Sequence, residues 1–163
     1  TVLKVQSLIN NEKPLLIANS DQLVNLDCEE IIKSCEDRGL DGIILAFKDS
    51  ERNPKWSFAA LNEKGLVKEV AEKKPISDMA TVGIYYFKRG RDFVNAAIEM
   101  IISMDKVNNE YYTCPTYNYL IKEGLKIGIL EIDQSDMFGL GTPQDLNKFI
   151  AYKGFPPSKD APD

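Results

Sequence analysis

Two short, unbroken apolar runs most constrain the fold of this chain. Pro14-Leu15-Leu16-Ile17-Ala18 and Gly42-Ile43-Ile44-Leu45-Ala46-Phe47 both lack polar alternation. A run that short and that apolar reads as a strand buried on both faces, as in parallel sheets. Between them, Asp27 is placed to cap a helix over Glu29 to Arg38, and Gly39 to stop it. Strand, helix, strand in this order predicts a parallel crossover and an α/β fold.

The middle of the chain changes pattern. Trp56 to Leu61, the turn Asn62-Glu63-Lys64-Gly65 and Leu66 to Val70 predict a β-hairpin. Thr81 to Phe87 reads as a further strand. Asp92 to Met104 has the spacing of an amphipathic helix. Residues 1–9 place Val2, Leu3, Val5 and Leu8 at helical steps. Tyr117 to Lys122 predicts a helix ended by Gly124, and Leu125 to Ile132 a strand. Thr142 and Pro143 mark a last helix start. Residues 1–154 read as one unit. Residues 155–163 carry three of the eight prolines and read as a tail or linker.

Composition narrows the chemistry. The 163 residues contain no histidine, which excludes Ser-His-Asp and Cys-His catalysis, His-ligated zinc and a histidine general base. Carboxylates, lysines, tyrosines, backbone amides and a hard metal ion remain. Twenty basic against twenty-five acidic side chains give a net charge of −5, opposite to the basic excess of a nucleic-acid binder. Three cysteines without a CxxC spacing fit a reducing compartment such as the cytoplasm. No apolar run approaches the length of a membrane helix, and Thr1-Val2-Leu3-Lys4-Val5 does not read as a signal peptide, since no basic segment precedes an apolar one.

Several residues carry chemistry, each beside a plainer reading. Asp21 follows a predicted buried strand, where it suits Mg²⁺, or serves as a turn or capping residue. Glu72-Lys73-Lys74 follows the hairpin. The pair can serve a phosphorylated sugar, carboxylate to hydroxyls and ammonium to phosphate, or form a solvated turn. Gly83 inside a strand marks close approach of a ligand or another chain, or a packing accommodation. Tyr85, Tyr86, Tyr111 and Tyr112 can line a pocket or pack in the core with a wet tip. Gly139-Leu140-Gly141-Thr142-Pro143 lacks the spacing and the Lys of a phosphate loop, and by itself is the turn before a helix.

Taken in order, these stretches resemble the sugar-phosphate nucleotidyltransferases, also called NDP-sugar pyrophosphorylases, and most closely the branch of capsule and surface-polysaccharide synthesis. The stretches are Pro14 to Asp21, Trp56 to Leu61, Glu69 to Lys74, Ala80 to Phe87, Asn108-Asn109-Glu110-Tyr111-Tyr112 with Pro115, Tyr117 and Asn118, and Gly139 to Leu146. The resemblance implies a partial Rossmann-like, GT-A-like α/β fold, a mixed sheet with an inserted sugar-binding hairpin region. It implies a reaction in which a sugar-1-phosphate oxygen attacks the α-phosphorus of a nucleoside triphosphate, releasing pyrophosphate. It makes Asp21 the Mg²⁺ ligand, and Asp21 and Lys73 the catalytic pair. Glu72 would hold sugar hydroxyls and Lys73 the sugar phosphate. Gln22, Ser57, Thr81, Gly83 and Tyr85 would complete the sugar site.

Two departures qualify the match. The family's glycine-rich nucleotide loop with its Arg and Lys has no counterpart here. Thr1 aligns past it, and the chain begins without Met. The expectation is a portion of an enzyme, without turnover of its own. Where many members carry a second metal-binding Asp stands Gly139, with Asp133 and Asp136 as the nearest substitutes. The implied partners are a sugar-1-phosphate and a nucleoside triphosphate, neither nucleic acid nor membrane, with homo-oligomers common in the family. Two alternatives stand beside this reading. One is a non-catalytic, nucleotidyltransferase-like regulatory or assembly module. The other is a GT-A glycosyltransferase, whose DxD pattern Asn19-Ser20-Asp21 meets only in its last residue.

Overall fold

A computed structural model describes residues 2–153; the proline-containing stretch 155–163 lies outside them. The chain opens on a 3-10 turn (Val2–Val5) and a short helix α1 (Gln6–Ile9), then β1 (Leu15–Ala18) and β2 (Gln22–Val24). Helix α2 (Cys28–Asp37) starts where expected, with the Asp27 side chain accepting the Glu29 N–H at 3.0 Å. Strand β3 (Gly42–Lys48) follows, then the hairpin β4 (Phe58–Leu61) and β5 (Val67–Ala71) and the long β6 (Met79–Phe87). Helices α3 (Gly90–Ile102) and α4 (Thr116–Lys122) precede β7 (Ile127–Glu131), β8 (Met137–Gly139) and α5 (Pro143–Lys153).

The main sheet runs β5-β4-β6-β3-β7, with β1 also paired to β6. Only β3 and β7 are parallel neighbours; β6 is antiparallel to β1, β3 and β4. The predicted α/β class with a mixed sheet is therefore what the chain forms. The crossover from β1 to β3 is realised in direction, since both strands oppose β6, but β6 lies between them.

Helices cover both faces. Ile44, Ala46, Phe87, Phe93, Tyr117 and Ile127 belong to the core beneath α3 and α4. Ile43, Leu45, Phe47, Ile31 and Cys35 belong to the core on the α2 side. Alternate β3 residues thus enter opposite cores, which is why its sequence shows no polar alternation. Phe87 and Tyr117 stack with ring centroids 4.6 Å apart, and the Tyr117 hydroxyl lies 3.1 Å from the Ile43 carbonyl oxygen and 3.0 Å from that of Tyr86.

The same reading fails for β1. Leu16 is 39% exposed, and the strand alternates instead of being buried. It pairs only with β6, and the face carrying Leu15 and Ile17 alone packs on the core. A four-residue apolar run cannot by itself tell two covered faces from one.

The N-terminal segment is tied to the start of α3. The Gly90 and Arg91 N–H groups donate to the Lys13 and Asn11 carbonyls at 2.8 and 3.0 Å. A Cβ on Gly90 would stand 2.1 Å from the Ile9 carbonyl oxygen. Gly90→Ala is therefore expected to cost about 1–3 kcal/mol, as overpacking does, and to loosen residues 2–13. A urea titration with limited tryptic proteolysis at Lys4 checks this; an unchanged midpoint and cleavage rate would refute it.

Candidate functional site

The candidate site begins with an irregularity in β6. Between Ile44 and Ala46, β3 advances two residues while β6 passes four, from Tyr85 to Thr81. This bulge is built on Gly83, whose φ is +84°. On the other edge of β6, β1 ends with Ala18 opposite Ile84, and β4 begins with Phe58 opposite Ala80. The two strands lie end to end along one edge, and residues 81–83 of β6 span the gap.

A cavity of about 320 Å³ opens at that gap, with Ala18, Asn19, Ser57, Glu72, Gly83, Tyr85, Tyr112 and Cys114 in its wall. A smaller lobe of about 110 Å³ shares Asn19, Ser57, Gly83 and Tyr85 and adds Gln22, Lys55, Trp56 and Thr81. Seven of the residues singled out in the sequence therefore meet here: Gln22, Ser57, Glu72, Thr81, Gly83, Tyr85 and Tyr112. The Thr81 N–H donates to the Ser57 carbonyl at 2.8 Å, and the Thr81 and Tyr85 hydroxyls share a hydrogen bond at 3.2 Å. The close approach expected at Gly83 is made by the chain itself: a Cβ there would stand 2.7 Å from Asn19 Nδ2.

Glu72 and Lys73 reach this region from the end of β5. The Ser57 hydroxyl donates a short hydrogen bond to Glu72 Oε2. Burial pushes the Glu72 carboxyl above its usual range, while the Ser57 bond and the Lys73 charge oppose the rise. Consecutive residues of a strand point to opposite faces, but Lys73 has φ +53° and breaks that alternation. Its ammonium donates to the Tyr112 hydroxyl at 2.8 Å, and that hydroxyl donates to Glu110 Oε2 at 2.6 Å. The bond to Tyr112 raises the Lys73 pKa most, so the amine stays charged at neutral pH.

Asp21 takes a different place. It precedes β2, which pairs with β8 in a separate two-stranded ribbon with Gln22 opposite Gly139. The Leu140 N–H donates to the Asp21 carbonyl at 2.7 Å, and a Cβ on Gly141 would stand 3.0 Å from Asp21 Oδ2. Asp21 is absent from the wall of either lobe. The two residues considered as substitutes at Gly139 do not meet it either. Asp133 caps a 3-10 turn, accepting from the Ser135 N–H at 2.8 Å, a bond that lowers its pKa. Asp136 lies beyond the far end of the ribbon, three residues from Gly139, or about 10 Å at the rise of a strand. The carboxylate nearest Gly139 is Asp145, 3.7 Å from a Cβ built there. Among the described residues, no three acidic or cysteine side chains gather as a metal cluster, and no helix is long and apolar enough to cross a membrane.

The sequence missed Asn19, Lys55 and Cys114 as wall residues. Cys114 is buried, and burial pushes its thiol up to about 12. Asn19 stood inside a motif already quoted, but nothing in its spacing tells a wall residue from a turn residue.

Comparison with known proteins supplies the remaining findings. The profile of the family described as Nucleotidyl transferase matches residues 1–118. The crystal structure of a nucleoside-diphosphate-sugar pyrophosphorylase from Vibrio cholerae RC9 is similar at a TM-score of 0.75 and 28% identity, covering 91% of this chain and 60% of that one. A Bacillus anthracis protein described as a glucose-1-phosphate thymidylyltransferase, crystallised with a sucrose, gives 0.68 at 16% identity, covering 92% and 58%. A CMP:2-keto-3-deoxy-manno-octonic acid synthetase complexed with CTP gives 0.64 at 18% identity, covering 94% and 66%. The last two share the fold. The chain spans about 60% of the length of the Vibrio protein. No curated protein matches the chain.

The raised Glu72 pKa has a consequence for stability. A carboxyl whose folded pKa exceeds its unfolded value makes a stabilising contribution that is fully present below the unfolded pKa and is lost as pH rises through the folded pKa. Glu72→Gln keeps an acceptor for Ser57 and removes the buried charge. The variant is expected to unfold at higher urea than the parent at pH 7, with the gap closing as pH falls through the carboxylate range. A gap that widens toward acid would contradict the assignment.

Proposed function

Because the chain belongs to the nucleotidyl transferase family, we propose that its cavity takes a sugar-1-phosphate, and that the whole reaction joins this to a nucleoside triphosphate, forming an NDP-sugar and pyrophosphate. The observation that carries this reading is the pairing of a half-buried carboxylate with an adjacent exposed ammonium. Glu72 sits in the cavity wall, and Lys73 is bonded to Tyr112 of the same wall. Glu72, held by Ser57, accepts from sugar hydroxyls, and Lys73 meets the phosphate. Thr81, Gly83 and Gln22 form the polar side of the lobe, and Tyr85 its wall.

The nucleophile is a phosphate oxygen that is already ionised, so no general base is required, in keeping with the absence of histidine. The work of the protein is to position two anions and offset their charge. Asp21 is the residue we propose to hold Mg²⁺. It is a hard oxygen donor with no cationic partner among the described residues, and Mg²⁺ is content with one or two carboxylates when water and phosphate complete its shell. When bound, the ion would offset phosphate charge.

The sequence has no glycine-rich loop with Arg and Lys for a triphosphate. We therefore propose that this chain by itself binds sugar-1-phosphate without turning it over. The glycosyltransferase alternative asks for a metal-directed acidic residue at position 19. Asn19 instead donates to Gln22 Oε1 at 2.9 Å and packs on Gly83.

Isothermal titration with a panel of sugar-1-phosphates and the matching free sugars tests the reading. One phosphorylated sugar is expected to bind and its free sugar to bind more weakly. Lys73→Ala should weaken the phosphorylated ligand about tenfold, as for a lost hydrogen bond to a charged group. Pyrophosphate release from triphosphates and Mg²⁺ is expected to be absent. Binding of no member of the panel, or equal binding of sugar and sugar phosphate, would remove the proposal. Robust pyrophosphate release would remove its second half.

A further inference from the structure

Of the stretch Asn108-Asn109-Glu110-Tyr111-Tyr112 the reading above uses only Tyr112, yet the structure joins Glu110 to Lys73 through it. Val107 and Glu110 exchange backbone hydrogen bonds at 3.0 Å in both directions, around Asn108 and Asn109 at φ +51° and +63°. Two left-handed residues at the centre of a two-residue turn are the type I′ pattern, which asparagine tolerates better than most residues. Glu110 therefore leaves a tight turn, and Tyr112 follows two residues later. On its other side the segment is fixed to α4, whose Thr116 hydroxyl donates to the Thr113 carbonyl at 2.6 Å.

Helix α4 is in turn locked to β5, the strand that delivers Lys73. The Asn118 side chain accepts from the Val70 N–H at 2.8 Å and donates to the Val70 carbonyl at 2.9 Å. One amide thus satisfies both backbone groups of a single strand residue. Both ends of the chain Lys73 to Tyr112 to Glu110 are consequently held against the same strand.

We propose that Tyr112 and Glu110 are positioning residues for Lys73, holding its ammonium charged and in place at the cavity for the phosphate of the bound sugar. The inference rests on the sugar-phosphate reading of that cavity. A lysine is a flexible stem with three donors. Tyr112 takes one of them at 2.8 Å and offers its ring face at 4.8 Å, leaving two for an anion. The Tyr112 proton lies toward Glu110, so the phenol oxygen is free to accept from the ammonium, and the carboxylate balances its charge through the ring. Without this relay, an exposed lysine would have to be ordered at the moment of binding, which costs affinity. Lys73 stands outside both walls, and its left-handed backbone brings its ammonium to Tyr112 of the wall that Glu72 lines.

Two measurements on the full chain test this, using Tyr112→Phe and Glu110→Gln. The first is the pH profile of Lys73 acetylation by acetic anhydride, read by mass spectrometry, with Lys64 of the hairpin turn as internal control. Both variants are expected to shift the Lys73 profile to lower pH, Tyr112→Phe the more, and to leave Lys64 unchanged. The second is the affinity for the sugar-1-phosphate selected from the panel. Tyr112→Phe keeps the ring and should weaken binding about threefold, the scale of one exposed hydrogen bond, and should have no further effect when combined with Lys73→Ala. An unmoved Lys73 profile in Tyr112→Phe overturns the proposal, as does a loss of affinity that persists in the Lys73→Ala background. If the profile shifts but the parent binds no sugar phosphate, the relay stands and the substrate reading of the cavity falls.

Discussion

At Gly83 the backbone turns to φ +84°, and the carbonyl accepts the Asn19 N–H at 3.2 Å. Much of the site depends on this one departure from a regular strand. Were β6 regular, β3 would pair with it without interruption, and its other edge would offer an unbroken run of backbone groups. One strand would take that edge. The bulge divides it, so that β1 occupies residues 84–87 and β4 takes position 80. A cavity between two strand ends follows from the division. The side chain that an ordinary residue would place at 83 is replaced by Asn19, which ties the end of β1 to the gap and fixes the wall of both lobes.

The chemistry set into that wall opposes stability. Glu72 is buried enough for its carboxyl to be pushed up, and only Ser57 and the neighbouring Lys73 charge resist the rise. A residue chosen for stability alone would be neutral here. Keeping a carboxylate half-prepared to accept hydrogen bonds is characteristic of a binding site, because a ligand hydroxyl can supply what burial removed. Lys73 answers the same demand in the opposite way: it is exposed, and its order comes from Tyr112 rather than from burial.

Which parts were legible in the sequence follows from the range of the interactions. Local signals read well. Asp27 caps α2, Asn62 and Gly65 make the hairpin turn, Gly124 stops α4 at φ +85°, and Thr142 accepts from the Asp145 N–H at the start of α5. The continuous run 42–47 gave β3 and its two covered faces, whereas the run 14–18 gave a strand covered on one face only. The β2-β8 ribbon was missed because three residues ending in Leu23-Val24 meet Met137-Phe138-Gly139 over a separation of more than a hundred positions, and neither segment is long enough to show a period. For the site, Glu72, Lys73, Ser57, Thr81, Gly83 and Tyr85 could be named through motif order. The contacts of Lys73 with Tyr112, and of Asn118 with Val70, could not, since no local pattern relates residues 39 or 48 positions apart.

The segment Asn19-Ser20-Asp21-Gln22 shows how the sheet and the ribbon are made to act together. Asn19 serves the gap in β6, and Asp21 serves the loop 139–141. Gln22 belongs to both: its side chain accepts from Asn19 Nδ2 at 2.9 Å while its backbone pairs with Gly139. The cavity and the carboxylate beside it are therefore not independent features that happen to be near in sequence. A shift of the ribbon moves Gln22, and through it the side chain that fills the space beside Gly83. Gly141 belongs to the same constraint. Any side chain at 141 would meet Asp21 Oδ2 at 3.0 Å, so the glycine keeps that carboxylate free on the side facing the loop. The glycines of β6 and of the loop thus do one kind of work at two places, each leaving room for a polar side chain from the same four-residue segment.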